Sequence, residues 1–101
     1  MKKHLFVGGL VAAGFDASGR FLLTVSHSGR GVFAVGSWER VARDNKLAYP
    51  ENGFTAGIGP IEGQKVKVVE GSEGSLKLTS PDGLLRLVYD SGSIEITDAS
   101  A

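Results

Sequence analysis

The chain has no cysteine among its 101 residues, which excludes disulfides, thiolate metal sites and cysteine nucleophiles. It also lacks an excess of either charge, because eleven Lys and Arg residues balance eleven Asp and Glu residues. A balanced total produces no overall field that would attract nucleic acid or an anionic membrane. The apolar runs are shorter than the roughly 18 residues of a membrane-spanning helix. These absences argue against nucleic acid as a partner and against a membrane span.

Glycine, by contrast, is abundant, with 15 residues in this short chain. So many glycines suggest frequent tight turns, which suit short strands better than long helices. With 42% hydrophobic residues the chain can form one modest core. Its length corresponds to one domain by the usual range of roughly 100–200 residues. We therefore expect a single β-rich domain over residues 1–101.

The clearest fold signal is a pair of β-prone apolar runs, residues 21–25 and 32–35, joined by the turn-forming sequence HSGRG. Three later segments alternate polar and apolar residues, as strands with one wet face do: residues 65–68, 76–78 and 94–96. Short connections tie successive strands together. The sequence predicts an all-β fold, a small antiparallel barrel or sandwich of about seven to nine short strands in meander order.

One departure from the strand pattern is the segment 37–44. Ser37 is a suitable N-cap, and Trp38, Val41 and Ala42 fall at helical spacing. The segment predicts one short helical turn, with a continued strand as the open alternative. Since Trp38 is the only Trp and directly follows a β-rich run, we expect it to be buried and to anchor the preceding hairpin.

The N-terminal sequence MKKHLFVGGLVAAG has a basic start, an apolar run and a small-residue exit, the outline of a secretory signal. Gly8 and Gly9 interrupt the run, and the segment is shorter than the usual roughly 15–30 residues. We therefore expect a retained strand and a cytoplasmic protein, whereas a signal peptide over residues 1–13 would imply a secreted or periplasmic one. As a strand, residues 5–13 carry no charge or Pro to protect an exposed edge, which predicts pairing with a second copy in a homodimer.

Two segments resemble parts of known families. The sequence DASGRFLLTVSHSGRGVFAVGSWERVAR, residues 16–43, resembles one blade of a β-propeller, which implies blade-like hairpins. The sequence GQKVKVVEGSEGSLKL, residues 63–78, is similar to the first hairpin of SH3-like barrels, including an RNA-binding motif of some ribosomal and transcription proteins. The second resemblance implies an RNA-binding module, and the chain departs from that motif in having few basic residues after Gly71.

Residue types that carry chemistry are sparse. His27 lies between Ser26 and Ser28, and Asp16 and Asp90 lie elsewhere in the chain. The sequence therefore contains the residue types of a Ser-His-Asp triad, but it does not show that they meet. The two histidines lack the spacing of metal ligands, and no Gly-Lys-Ser/Thr phosphate loop is present. We predict no catalytic residue, no cofactor and no metal site, and the protein is not expected to be an enzyme.

Basic and aromatic residues concentrate in the middle of the chain and form the predicted binding surface: Arg30, Trp38, Arg40, Arg43, Tyr49 and Phe54. The sequence favours a non-enzymatic binding or assembly module that contacts another protein or a second copy of itself. One alternative is a small ligand-binding or enzymatic barrel whose pocket is lined by Tyr49, Phe54, Tyr89 and Trp38. The other alternative is an SH3-like RNA-binding module.

Overall fold

The protein is built almost entirely of β-structure in a computed structural model, which describes residues 2–46, 48–71 and 75–99. These residues contain eleven strands and a 3-10 turn at Gly59–Ile61, which confirms the all-β prediction and exceeds the expected strand number. The strands are β1 (Lys2–Phe6), β2 (Leu10–Phe15), β3 (Phe21–Ser26), β4 (Gly29–Ala34), β5 (Arg40–Arg43), β6 (Phe54–Ala56), β7 (Lys65–Lys67), β8 (Val69–Glu70), β9 (Ser75–Thr79), β10 (Leu85–Asp90) and β11 (Ser93–Asp98).

The strands form three antiparallel sheets. A five-stranded sheet, called the central sheet below, has the order β5-β4-β3-β2-β8. A four-stranded sheet has the order β1-β11-β10-β9, and β6 pairs with β7 in a small hairpin. The order departs from the predicted meander because β1 pairs with β11 and β2 pairs with β8, each far along the chain.

The central sheet is covered on both faces. Its sandwich face packs against the four-stranded sheet, and its hairpin face is covered by β6, β7 and the 3-10 turn. Alternation along β3 divides the side chains, so that Leu22 enters the first core and Leu23 the second. The apolar run of β3 is nearly continuous because both faces of the central sheet are covered at this strand. The sandwich core contains Leu5, Val7, Leu10, Ala13, Phe15, Leu22, Phe33, Trp38, Leu76, Leu87, Tyr89, Ile94 and Ile96. The hairpin core contains Ala12, Leu23, Val25, Val32, Ile61, Val66 and Val68.

The predicted first strand is wrong in its extent. Residues 7–9 break it, with Gly9 in the left-handed region at φ 65°, so that β1 joins the four-stranded sheet and β2 the central sheet. β2 lies between β3 and β8 and offers no edge. β1 does form an edge, and its residues Lys2, Lys3 and His4 are exposed basic side chains of the kind that protect edges. The premise of an unprotected edge over residues 5–13 is therefore corrected.

The helical turn predicted over residues 37–44 is also wrong, and the strand alternative is confirmed as β5. Gly36 and Trp38 both have positive φ values, 106° and 59°, which a helix does not permit. The backbone N–H of Trp38 instead donates to the carbonyl of Ala34 at 2.8 Å, closing a turn that leads into β5. The side chain of Trp38 is 6% exposed in the sandwich core, which confirms its predicted burial.

The end of β7 lies directly against β2 of the central sheet. A Cβ atom on Gly14 would clash with the backbone carbonyl of Lys67, so this approach requires glycine at position 14. Among the described residues no ladder joins β7 or β8 to β9; β7 pairs with β6, β8 with β2 and β9 with β10. The described strands within residues 63–78 therefore differ from the single hairpin that the SH3-like resemblance implies.

Candidate functional site

The structure brings part of the predicted binding surface together, because Arg30, Arg40 and Arg43 line one cavity. Arg30 and Trp38 are buried, whereas Arg40 and Arg43 are exposed on the central sheet. Tyr49 and Phe54 are 59% and 42% exposed. The three arginines therefore share a cavity, whereas Trp38 lies in the sandwich core and Tyr49 and Phe54 are exposed outside that cavity.

Arg30 is a structural residue on the hairpin face. Its Nε donates to Oδ2 of Asp44 at 3.1 Å, and its Nη1 donates to the carbonyl of Ala56 on β6 at 3.0 Å. These contacts join β4, the segment after β5 and the covering hairpin. The hydrogen bonds from Arg30 hold the pKa of Asp44 below its ordinary value, and they outweigh the opposing effect of burial.

The four aromatic side chains of the hypothetical pocket do not share an environment. Trp38 and Tyr89 lie in the sandwich core, where the Tyr89 hydroxyl accepts from the backbone N–H of Leu10 at 3.2 Å. Tyr49 and Phe54 lie at the surface. A barrel interior lined by all four residues is therefore not the binding site of this fold.

Asp16 is too far from His27 to belong to a Ser-His-Asp arrangement. Asp16 and His27 lie beyond opposite ends of β3, roughly 20 Å apart for six extended residues. The carboxylate of Asp16 accepts from the Ser18 hydroxyl at 2.7 Å and from the backbone N–H of Phe21 at 3.1 Å, which gives it a turn-stabilising role. Among the residues placed in the structure, no group of three His, Asp or Glu side chains is arranged to hold a metal.

An apolar opening lies between β7–β8 and β9. We call it the β7–β9 groove. It has a volume of about 500 Å³, and its open apolar side chains are Phe54, Val69, Leu78 and Pro81. β8 and β9 contact each other, and the residues that line the groove extend from Val69 and Leu78 to Lys65 and Phe54.

Charge and backbone chemistry at this groove are both suited to a chain partner. Lys65 and Lys67 are exposed at its edge, and neither forms an ion pair with the residues placed in the structure. β9 pairs with β10 on one side, while its other side faces the groove at Leu78 and Thr79. An extended segment in the groove can therefore contact apolar side chains, lysines and a strand edge together.

Sequence reasoning found Phe54 and missed the rest of the groove. Val69 follows Val68 directly in a segment that otherwise alternates, and the structure shows that Val68 is buried while Val69 is 43% exposed. Two adjacent valines in an alternating strand are the sequence signal for an exposed apolar residue. Leu78 and Pro81 give no such signal, because their exposure depends on the strand beside them.

No family model, curated protein or solved structure matches this chain. The part of the chain that the structure places contains no helix long and apolar enough to cross a membrane.

Proposed function

We propose that the protein is a non-enzymatic binding module that acts through protein–protein contacts, and that the β7–β9 groove receives an extended acidic segment of a partner chain. This proposal rests on one observation: an apolar groove, two lysines and the edge of β9 lie together. A partner strand beside β9 would extend the four-stranded sheet, a recognition mode in which backbone hydrogen bonds give affinity and side-chain pockets give specificity.

Exposed apolar side chains support this location. Phe54 and Val69 are two of the large hydrophobic side chains that the described surface leaves open, and both line the same groove. Aromatic residues in concave surfaces are typical anchors of protein interfaces. Phe54 is therefore the residue we expect to contribute most to binding.

Charge supports an acidic occupant. Lys65 and Lys67 add two positive charges at the groove, and the carboxylate of Asp16 nearby is already hydrogen bonded within its own turn. Acidic side chains at alternating positions of an extended segment would point toward the same side as these lysines. Complementary charges of this kind raise specificity and association rate more than affinity.

Self-association stays a prediction, with a second copy as the other occupant. β1 does not favour it, because a two-fold axis beside this edge would place Lys2, Lys3 and His4 next to the same residues of the other copy. β6 does not favour it either, because Glu51 already pairs with Phe54 on its outer side. These observations favour a different chain as the partner over a homodimer.

The cytoplasmic location also stays a prediction. Residues 2–13 supply β1, most of β2 and the core side chains Leu5, Val7 and Leu10. Their removal would take an edge strand and part of the sandwich core away, which supports treating them as part of the folded domain.

Binding is tested by titrating the protein with a blocked peptide of alternating valine and aspartate while recording amide NMR spectra. We expect shift changes at β7, β8 and β9, and weaker binding by about tenfold, or about 1.4 kcal/mol, in Phe54→Ala. Tyr49→Ala is the matched control, because Tyr49 is exposed but does not line the groove.

The same peptide with lysine in place of aspartate should bind more weakly than the acidic one. Shift changes outside the groove, or equal losses in Phe54→Ala and Tyr49→Ala, would contradict the proposal. Light scattering of the protein alone tests the homodimer. A mass of twice 10.6 kDa would identify a second copy as the partner.

A further inference from the structure

A second cavity, separate from the β7–β9 groove, lies on the sandwich face of the central sheet. We call it the arginine pocket. Its volume is about 250 Å³, its base includes Thr24, Ser26 and Gly31, and Arg40 and Arg43 line one side. The opposite side is formed by Phe6 at the end of β1 and by Val7 and Gly8 of the connection to β2.

The pocket exists because of side-chain size along two paired strands. Leu22 pairs with Phe33, and both fill the sandwich core. Further along the same face Thr24 pairs with Gly31, and the next pair on this face, Ser26 and Gly29, is equally small. The loss of side-chain volume between these pairs leaves the space, and the four-stranded sheet ends at β1 without filling it.

A bulge places both arginines on this face. Residues three apart in a regular strand point to opposite faces, so Arg40 and Arg43 should be separated. The register of β4 and β5 shifts between Val32 and Phe33, so that Arg40 pairs with Phe33 and Arg43 with Gly31. Both partners belong to the sandwich face, and both arginines line the same cavity.

The pocket carries unbalanced positive charge. Neither Arg40 nor Arg43 forms an ion pair with a described residue, and the Arg40 guanidinium lies 5.2 Å from the ring centre of Phe33. The carboxylate at this cavity, Asp44, is held by Arg30. Its negative charge is therefore matched, and the two β5 arginines determine the net charge.

Hydroxyl groups complete the polar surface. The Thr24 hydroxyl donates to the carbonyl of Gly31 at 3.3 Å, and the Ser26 hydroxyl donates to the carbonyl of Gly29 at 3.1 Å. The hydroxyls of Ser26 and Ser28 are 3.0 Å apart. These bonds are long for hydroxyl donors, whose preferred distance is about 2.7–2.8 Å, and a hydroxyl can rotate toward a better acceptor.

We propose that the arginine pocket binds a phosphate group, either free phosphate or the phosphate of a small monoester. Two guanidinium groups on one side and hydroxyls at the base surround an anion with several oxygens, and arginine is the side chain best suited to phosphate. The cavity exceeds the roughly 30 Å³ of one water several-fold, which leaves room for an organic group beside the phosphate. Phe6, 79% exposed at the opening, would contact such a group.

Isothermal titration of the whole protein with inorganic phosphate and with phenyl phosphate tests this site. We expect saturable one-site binding, weakened by about tenfold or more in Arg40→Gln and in Arg43→Gln, because each removes charge-assisted hydrogen bonds. Arg20→Gln removes the same charge from the exposed turn between β2 and β3 and should leave the affinity unchanged. Circular dichroism verifies that each variant is folded.

The two ligands distinguish the two sources of the phosphate. Equal affinities would identify free phosphate, and tighter binding of phenyl phosphate, reduced in Phe6→Ala, would identify a monoester; both results support the site. The proposal is overturned if neither ligand saturates the wild-type protein. It is also overturned if Arg20→Gln weakens binding as much as Arg43→Gln does, since the effect would then be general electrostatics.

Discussion

The two faces of the central sheet are completed in different ways. On the hairpin face, apolar side chains continue from Leu23 through Val25, and Arg30 then closes the end of the core with its bonds to Asp44 and Ala56. On the sandwich face, the apolar side chains stop early, and hydroxyls, glycines and two arginines without an ion pair to any described residue follow. The hairpin face therefore stabilises the fold along its whole length, whereas part of the sandwich face remains open to a ligand.

The comparison shows that residue type alone does not assign a role. Arg30 and Arg43 lie on neighbouring strands, yet Arg30 is 9% exposed and donates to Asp44 and Ala56, while Arg43 is exposed without an ion pair among the described residues. The face of the sheet decides the difference. Burial beside a matched carboxylate gives Arg30 a structural role, whereas Arg43 is exposed to solvent and can contact a ligand.

The largest effect is expected where the sandwich face is filled completely. Trp38→Ala removes the largest side chain of the sandwich core, and we expect a loss of about 3–5 kcal/mol in the free energy of unfolding. Urea denaturation measures it, with Tyr49→Ala as the control, because Tyr49 is mostly exposed and should change stability by about 0.5 kcal/mol or less. A loss below about 1 kcal/mol in Trp38→Ala would show that the sandwich core is not well packed.

A smaller effect is expected on the pH dependence of the unfolding free energy, through the contact of Asp44 with Arg30. The pKa of Asp44 is lowered in the folded protein, so its ionised form stabilises the fold above the ordinary carboxyl pKa of about 3.9. That stabilisation is lost as the pH falls from about 4 through the lowered pKa. Unfolding free energies measured across this acid range should fall less steeply in Asp44→Asn than in the wild type. Parallel pH profiles would mean that Asp44 titrates normally and that Arg30 does not hold it.

Much of the fold follows from local patterns in the sequence. The HSGRG turn and its flanking runs predict the β3–β4 hairpin, which the structure shows as a continuous ladder from Phe21–Ala34 to Ser26–Gly29. The first strand could not be divided correctly, because the sequence does not reveal which of Gly8 and Gly9 adopts a positive φ. The pairing of β1 with β11 depends on contacts between the two ends of the chain, which local patterning does not encode.

The candidate sites were harder to predict than the fold. Arg30, Arg40 and Arg43 look like one cluster in the sequence, but their faces depend on register. A single-residue shift moves a side chain to the opposite face, and the bulge in the β4–β5 ladder is such a shift. The groove depends on the separation of β7–β8 from β9, which follows from packing against Gly14 rather than from any motif.

The most direct measurement of the difference between the two faces compares the unfolding free energies of Arg30→Met and Arg43→Met, which lose the same charge and gain the same side chain. Arg30→Met should lose about 2–4 kcal/mol, less than a fully buried pair would, because Asp44 keeps 27% of its side chain exposed. Arg43→Met should change stability by about 0.5 kcal/mol or less. Equal losses in the two variants would contradict the assignment of a structural role to one face and an available surface to the other.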